Sequence, residues 1–369
     1  MRKILYAKPS ITDLEIEYVE NAVRNGWGTN CYDYLNMFVD LFKDYIKCNY
    51  LIPTSSCTGA LHIALSAMGI NTGDEVIVPD TTWIGSVAPI IYLNAKPVFV
   101  DIIEDTWCID PKKIEEAITT KTKAIIPVHL YGNLAEMDEI LEIAEKHNLY
   151  VIEDAAESLG SEYKGKLSGT IGDCGIYSFH GTKTMTTGEG GMLIFKNKEL
   201  FEIANVIADQ GRDPKVPKPF WIEKIGLKYK MSNLLAALGC AQIKRIEELI
   251  SKKREIFFLY KSKLSQIEGL KLNPELDYWK NTFWMPTIIF STNYNFHRDD
   301  ILNYLASKGI SGRPFFYPIS MFPMFENKPQ NTVSYSLYSR GINVPNYFEM
   351  TEEDVDYVYE QINSYIKTL

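Results

Sequence analysis

The sequence predicts an α/β fold with a mostly parallel sheet, followed by a smaller C-terminal α+β domain. Through the first two-thirds of the 369 residues, short apolar strands alternate with helical patterns. Such alternation is typical of a parallel sheet covered by helices on both faces. A long helical stretch then leads to one further strand and two helices. We therefore divide the chain into a large domain, residues 1–250, and a small domain, residues 251–369.

The elements of the large domain follow from the spacing of apolar residues. Short apolar runs predict the strands Glu75–Pro79, Pro97–Asp101, Ala124–Val128, Val151–Asp154 and Cys174–Phe179. Helical spacing predicts the helices Ile11–Val23, Thr58–Met68, Ser86–Leu93, Pro111–Ala117 and Asp138–His147.

The domain connection is predicted as one long helical stretch, Met231–Leu264. The small domain then contains the strand Phe283–Phe290 and the helices Arg298–Ser307 and Glu352–Ile366.

Composition excludes several classes of function. The net charge is −9, from 38 basic and 47 acidic residues, so the chain lacks the basic footprint of a nucleic-acid-binding protein. No run approaches the roughly 18 consecutive apolar residues of a membrane span, and residues 1–9 contain no apolar signal region. Six scattered cysteines, without CxxC spacing or paired histidines, indicate free thiols in a reducing cytoplasm rather than disulfides or a metal site.

Lys183 is the first candidate for a catalytic residue. It follows the strand Cys174–Phe179 and precedes the glycine-rich turn Gly188–Gly191, so a strand end delivers it into a cleft beside small residues. A lysine in such a place can form a Schiff base with pyridoxal phosphate. The alternative is a solvated surface lysine.

Asp154 ends the predicted strand Val151–Asp154, at the edge where open α/β sheets bind ligands. A buried carboxylate there needs a positive partner, and the protonated ring nitrogen of pyridoxal phosphate would supply one. Glu157, one helical turn further on, could approach the phenolic oxygen of the same ring. The alternative role for Asp154 is to cap the following helix.

Three further features suit the rest of this cofactor. The stretch Thr54–Ala60 precedes an apolar helix, so its amides and hydroxyls could bind a phosphate with help from the helix dipole. Ser178 could add a hydroxyl from the strand that leads to Lys183. Trp83 offers a flat face on which a ring could stack, although a core aromatic or a plain helix cap would explain these residues as well.

Taken together, these residues resemble the DegT/DnrJ/EryC1/StrS family of sugar aminotransferases. The likeness runs nearly end to end and is most specific in the segment SFHGTKTMTTGEGG at residues 178–191. It also includes Val128–Gly132, Glu153–Glu157 and Arg313–Pro318. The resemblance implies an aspartate aminotransferase-like fold of type I and pyridoxal 5'-phosphate as cofactor.

By this resemblance, Lys183 would be the catalytic residue and the covalent attachment point of the cofactor. The other cofactor contacts it implies are Cys57 through its amide, Thr58, Trp83, Asp154, Glu157, Ser178 and Lys228. Lys228 lies in Gly226–Ser232, where relatives have an asparagine that reaches across a dimer interface. The resemblance therefore implies a homodimer with shared active sites. Lys230 stands where relatives have an arginine, and it is a predicted substrate contact together with Arg313 and Tyr317.

The predicted reaction is an amino transfer from L-glutamate to a 4-keto-6-deoxy nucleotide sugar, in surface polysaccharide biosynthesis in the cytoplasm. A small phosphorylated ketone, such as dihydroxyacetone phosphate, is the alternative acceptor. Other classes are a pyridoxal phosphate-dependent lyase and a non-catalytic sensor that keeps the cofactor site. A nicotinamide dehydrogenase lacks support because no GxGxxG follows an early strand.

Overall fold

A seven-stranded sheet forms the centre of the large domain in the computed structural model, which describes residues 2–218, 220–295 and 297–369. The strands of the chain are β1 (Tyr50–Thr54), β2 (Glu75–Pro79), β3 (Lys96–Val100), β4 (Thr122–Ile125), β5 (Tyr150–Asp154), β6 (Glu162–Tyr163), β7 (Lys166–Leu167), β8 (Cys174–Ser178), β9 (Gly191–Phe195), β10 (Leu270–Leu272), β11 (Trp279–Lys280), β12 (Thr287–Phe290), β13 (Arg313–Pro314) and β14 (Gly341–Asn343).

The α-helices cover both faces of this sheet and build the small domain. They are α1 (Asp13–Asn25), α2 (Asp33–Ile46), α3 (Cys57–Ala67), α4 (Ala88–Tyr92), α5 (Pro111–Ala117), α6 (Met137–His147), α7 (Lys198–Ala208), α8 (Asn233–Lys244), α9 (Ile246–Leu264), α10 (Arg298–Ser307), α11 (Thr332–Leu337) and α12 (Glu352–Ile366).

The large sheet has the order β1-β9-β8-β5-β4-β2-β3. The pairs from β8 through β5, β4 and β2 to β3 are parallel, and β9 alone runs antiparallel to its two neighbours. The predicted α/β fold with a mostly parallel sheet is confirmed. Because β1, β2, β4, β5 and β8 run in one direction, their carboxyl ends meet at one edge of the sheet.

Both faces of the sheet are buried, and alternate residues of a strand enter different cores. Along β9, Leu193 belongs to the core that contains α3, whereas Met192 and Ile194 pack into the core that contains Phe38 and Phe42 of α2. This two-sided burial explains why the strands are continuous apolar runs and not alternating patterns.

Two predicted elements differ most from the structure, whereas the bounds of the others shift by up to three residues. The stretch Met231–Leu264 is broken at Arg245, whose φ and ψ of −104° and 8° separate α8 from α9. The Arg245 guanidinium binds Glu15 of α1, with 2.9 Å between Nη1 and Oε1, so tertiary contacts fix the break. The predicted strand Phe283–Phe290 begins only at Thr287, because Phe283 has a left-handed backbone with φ 51° and Pro286 carries no amide hydrogen.

The small domain contains a four-stranded antiparallel sheet, β10-β12-β14-β13. Its core joins Ile288 and Ile342 of the sheet to side chains of α9, α10 and α12, and Ile4 from the N-terminus completes it. The predicted boundary between residues 250 and 251 falls inside α9. Ile250 of this helix packs into the core that contains Phe38 and Phe42, whereas Ile256 packs into the core of the small domain.

Lys253 of α9 lies buried at the junction of the two domains. Its Nζ donates to the carbonyl of Asn346 at 2.5 Å and to the carbonyl of Trp284 at 3.4 Å. Within the described ranges, no carboxylate lies within ion-pair distance of this ammonium group. Burial lowers the pKa of Lys253 to about 7.

Replacing Lys253 by methionine should flatten the dependence of stability on pH above neutrality. Between pH 7 and about 10.5 the folded protein holds Lys253 neutral while the unfolded chain still binds the proton, so the free energy of unfolding rises with pH. The two carbonyl acceptors stabilise the charged form and reduce the effect. We expect the wild type to gain about 1–3 kcal/mol relative to the Lys253→Met variant between pH 7 and 9.5.

Urea denaturation of both proteins at several pH values measures this difference. The matched control is Lys252→Met, because Lys252 directly precedes Lys253 in α9 and pairs with Glu255 at the surface. The control should follow the slope of the wild type. Parallel curves for Lys253→Met and the wild type would contradict the assignment of a neutral lysine at this junction.

No helix among residues 2–218, 220–295 and 297–369 is both long enough and apolar enough to cross a membrane.

Candidate active site

A cavity of about 540 Å³ lies at the carboxyl edge of the large sheet and extends to the small domain. It collects predicted site residues from positions distant in sequence. Those that line it are Cys57, Thr58, Trp83, Asp154, Glu157, Ser178, Lys183, Arg313 and Tyr317. Lys228 and Lys230, which the structure also describes, are not among its lining residues.

Lys183 projects into this cavity from the loop after β8. Its Nζ lies 3.1 Å from Oε1 of Glu157 and 3.7 Å from the centre of the Trp284 ring. Only 14% of the side chain is exposed, so the predicted alternative of a solvated surface lysine does not describe its position. The Trp284 indole donates to the carbonyl of Thr182 at 2.7 Å, which fixes the ring beneath the amine.

Glu157 is held in place by a strained backbone. Tyr131 has φ 56° and ψ 19°, and its amide donates to Oε2 of Glu157 at 2.9 Å. Burial raises the pKa of the Glu157 carboxyl, whereas Lys183 beside it lowers this pKa. The two carboxylate oxygens are thus divided between a backbone amide and the amine of Lys183.

Asp154 ends β5 at the floor of the cavity. Its Oδ2 accepts from the Ser86 hydroxyl at 2.7 Å, and its Oδ1 accepts from the amide of Ala156 at 3.1 Å. Burial raises the pKa of this carboxyl, which is 5% exposed. Among the described residues no lysine or arginine lies within 4 Å of it, and the more distant charge of Lys183 lowers its pKa by less than burial raises it.

The amino end of α3 is a candidate anion-binding site. Ser56 caps the helix by accepting from the amide of Gly59, and Cys57 at the first position of the helix lines the cavity. Glycine is required nearby, because a Cβ on Gly191 would lie 2.7 Å from the nitrogen of Cys57 and one on Gly85 would lie 3.1 Å from Oγ1 of Thr58. Ser178 brings a second hydroxyl from the end of β8.

Lys228 and Lys230 flank a segment fixed beside this helix end. The carbonyl of Tyr229 accepts from the amide of Ser55 at 2.6 Å, and its ring packs on Gly59. Lys228 is exposed, and Nζ of Lys230 lies 4.1 Å from the centre of the Tyr32 ring. Neither cation therefore contributes to the lining of the cavity of its own chain.

Aromatic side chains form the rim of the cavity. Trp83 is 60% exposed, and its ring centre lies 5.9 Å from that of Phe316. Tyr317 stacks on the guanidinium of Arg298 at 4.2 Å and remains partly exposed. This rim offers flat faces for planar groups of a cofactor or substrate.

Several cavity residues are not predicted from the sequence. They are Tyr6, Thr82, Ser86, His180, Trp284, Phe316 and Asn343. Ser86 follows the predicted Trp83 closely and could have been suspected as a hydroxyl near the strand end. For Tyr6 and Trp284 the sequence contains no local signal, because the small domain and the N-terminus bring them to the site.

These residues fit pyridoxal phosphate. The buried Asp154 has no lysine or arginine within 4 Å among the described residues, so a protonated pyridine nitrogen would give it a close positive partner. The start of α3 with Thr58 and Ser178 offers donors to a phosphate, and Trp83 and Lys183 line the same cavity. Described residues contain no group of three or more side chains able to hold a metal ion.

Comparison with known proteins identifies relatives along the whole chain. Residues 9–363 match the DegT/DnrJ/EryC1/StrS aminotransferase family. The GDP-perosamine synthase of Escherichia coli O157:H7 is 40% identical over 366 residues, which cover 99% of each chain. The GDP-perosamine synthase of Caulobacter vibrioides is 37% identical, with 96% of each chain covered.

Solved structures show the same architecture. A candidate sugar aminotransferase of Streptococcus pneumoniae, solved in its PMP form, superimposes with a TM-score of 0.93 at 26% identity and covers 100% of this chain and 98% of its own. The PLP form of that protein gives a TM-score of 0.92.

Proposed function

Because the chain belongs to the DegT/DnrJ/EryC1/StrS aminotransferase family, we propose that it moves an amino group from L-glutamate to a nucleotide-linked 4-keto-6-deoxy sugar. The chain is an aminotransferase with pyridoxal 5'-phosphate as its cofactor, as its sequence predicted. The match to GDP-perosamine synthases over nearly the full length of both chains is the observation that carries the proposed acceptor. A GDP-linked sugar is accordingly our first choice.

Pyridoxal phosphate, when bound, supplies an electron sink that lets a proton leave the carbon carrying the amino group. The side chain placed to move that proton is Lys183, whose Nζ faces the cavity at 3.1 Å from Glu157. Glu157 orients this amine, because its other oxygen is fixed by the amide of Tyr131. The ring of Trp284, whose centre lies 3.7 Å from the same amine, would limit the access of water.

Asp154 would hold the positive charge of the cofactor ring. A carboxylate that keeps a buried ring protonated favours electron withdrawal, and Ser86 fixes one of its oxygens for this purpose. Trp83 would cover the ring, while the Cys57 amide and the hydroxyls of Thr58 and Ser178 would bind the phosphate. Each of these roles stays a proposal that a variant can test.

An acceptor comparison tests the proposed substrate. The enzyme is loaded with the amino group from L-glutamate, and GDP-4-keto-6-deoxymannose or dihydroxyacetone phosphate is then added. We expect an aminated GDP-sugar by mass spectrometry and no amination of the small phosphorylated ketone. Amination of dihydroxyacetone phosphate alone would replace the nucleotide sugar by the alternative acceptor.

A homodimer with shared active sites is part of the proposal. Large apolar side chains remain exposed in the segment that leads to Lys228, including Phe220 at 93% and Ile225 at 96%. An exposed apolar patch of this kind marks an interaction surface. A second copy on this surface would cover it, and it would allow Lys228 to reach the phosphate end of the neighbouring cavity.

Mixed dimers test this sharing. Lys183→Ala and Lys228→Ala should each have low activity alone, the second because cofactor phosphate binding is weakened. After mixing and exchange of subunits, activity should return, since one site of each hybrid then contains both intact lysines.

The matched control is a mixture of Lys183→Ala with Asp154→Asn. Both changes affect the same subunit's contribution to a site, so no hybrid gains a complete site and activity should stay low. Equal recovery of activity in the two mixtures would count against a role for Lys228 across the interface. Full activity of Lys228→Ala alone would count against it as well.

We place the protein in the cytoplasm. All six cysteines are free, and three of them are buried, as expected for thiols kept in a reducing compartment. Fractionation of cells with a tagged chain would test this placement.

A further inference from the structure

The N-terminal strap, residues 2–10, crosses from the small domain to the large domain past the cavity. Ile4 pairs with Ile310 as a short parallel bridge, with its amide bonded to the carbonyl of Gly309 at 2.9 Å. At the other end, the carbonyl of Ser10 accepts from Nε2 of Gln242 at 2.8 Å. The middle of the strap is therefore held from both sides.

Tyr6 lies in this middle part and lines the cavity. Its carbonyl accepts from the amide of Asn346 at 3.1 Å, which fixes the backbone, and the guanidinium carbon of Arg313 lies 5.1 Å from the centre of its ring. Burial raises the pKa of the Tyr6 phenol and the charge of Glu157 raises it further, which together outweigh the lowering by Arg313. The phenol therefore stays protonated and remains a hydrogen-bond donor.

Arg313 faces the same part of the cavity with an unused charge. Its hydrogen bond within the chain runs from Nη1 to the carbonyl of its neighbour Gly312, at 3.3 Å. In the part of the chain that the structure describes, no carboxylate lies within ion-pair distance of this guanidinium. A guanidinium open to a cavity is suited to a carboxylate, which it can bind through two parallel hydrogen bonds.

We propose that Tyr6 and Arg313 together bind the α-carboxylate of the amino donor, with the Tyr6 phenol as a donor to that carboxylate and its ring as support for the guanidinium. This inference rests on the proposed aminotransferase function. Nothing in the sequence near Tyr6 points to the site, since the strap alone brings the residue there.

The location favours the amino donor over the sugar. Tyr6, Glu157 and Lys183 line the same cavity, and Glu157 lies 3.1 Å from the amine of Lys183. The carbon that carries the reacting nitrogen must lie beside that amine. In an amino acid the carboxylate is bonded to this carbon, whereas in a nucleotide sugar the diphosphate is separated from the keto carbon by the sugar ring.

The Tyr6→Phe variant tests the inference, because it keeps the ring under Arg313 and removes the donor. We expect the L-glutamate concentration for half-maximal rate of the donor half-reaction to rise about ten- to a hundredfold. The concentration dependence of the acceptor half-reaction should remain that of the wild type. Calorimetric binding of maleate, an unreactive dicarboxylate, should weaken by the same factor as glutamate.

Tyr357→Phe is the matched control. Tyr357 also stacks under an arginine of the strap, with the Arg2 guanidinium 5.4 Å from its ring centre, but it does not line the cavity. The control should leave both half-reactions and maleate binding unchanged. Unchanged glutamate and maleate affinities in Tyr6→Phe, or an equal loss in both half-reactions, would overturn the inference.

The outcomes also separate this inference from the proposed function. A wild type that reacts with glutamate while Tyr6→Phe reacts equally well overturns the role of Tyr6 alone. A wild type that does not react with glutamate contradicts the proposed donor, and maleate binding to the two proteins then still decides whether Tyr6 contributes to a carboxylate site.

Discussion

Replacing Lys183 by alanine is expected to lower the rate of amino transfer by at least about 10⁴-fold. The variant loses both the covalent attachment point of the cofactor and the base whose Nζ lies 3.1 Å from Glu157. Steady-state turnover with L-glutamate and a GDP-keto sugar measures the loss. Cofactor absorbance should also be removed by dialysis, since only non-covalent contacts remain.

Lys196→Ala serves as the control, because Lys196 is exposed at the end of β9 and remote from the cavity. It should keep full activity and a cofactor that resists dialysis. A Lys183→Ala enzyme with more than a few per cent of wild-type activity would mean that another amine performs the chemistry.

Replacing Asp154 by asparagine is expected to reduce activity between about 10²- and 10⁴-fold. The loss of one charge from a buried charge pair is worth about 3–5 kcal/mol, and each 1.36 kcal/mol corresponds to a tenfold change in rate. Asparagine retains the shape of the side chain and can still accept from Ser86, so the fold should persist. Turnover and cofactor affinity measure the effect.

The control is Asp101→Asn. Asp101 is also buried and follows β3 of the same sheet, but it binds the amides of Val333 and Ser334 and does not line the cavity. This change should affect stability and leave the cofactor absorbance unaltered. Activity of Asp154→Asn within tenfold of the wild type would contradict the role of Asp154 as the partner of the ring nitrogen.

The sequence predicts the site residues that lie at or just after the carboxyl ends of strands. Val151–Asp154 and Cys174–Phe179 are apolar runs, and a polar residue after such a run in a parallel sheet reaches the ligand edge. Asp154, Ser178 and Lys183 were found in this way, and the structure brings them to one cavity. The start of α3 was recognised from its small residues for the same reason.

Elements without a distinctive pattern were missed. β9 begins at Gly191, the last residue of the predicted glycine-rich turn, and the sequence pattern predicts no strand there. The break at Arg245 involves neither glycine nor proline, because contacts to α1 and Ser10 produce it. A periodic pattern reports burial along one element, and it contains no information on such long-range contacts.

Residues that come from distant parts of the chain were missed as well. Tyr6 reaches the cavity through the strap, and Trp284 reaches it through the left-handed turn at Phe283. For Lys228 and Lys230 the reverse holds, since the sequence pointed to them and their own cavity does not contain them. Their predicted roles depend on a second copy of the chain.

The absorbance spectrum of the purified protein after reconstitution with pyridoxal phosphate, followed by addition of L-glutamate, tests the central claim most directly. We predict a band at the edge of the visible range that L-glutamate converts to a shorter-wavelength band, with release of 2-oxoglutarate. A keto sugar should then restore the first band. A protein that takes up no cofactor and remains colourless would contradict the account built on Lys183 and Asp154.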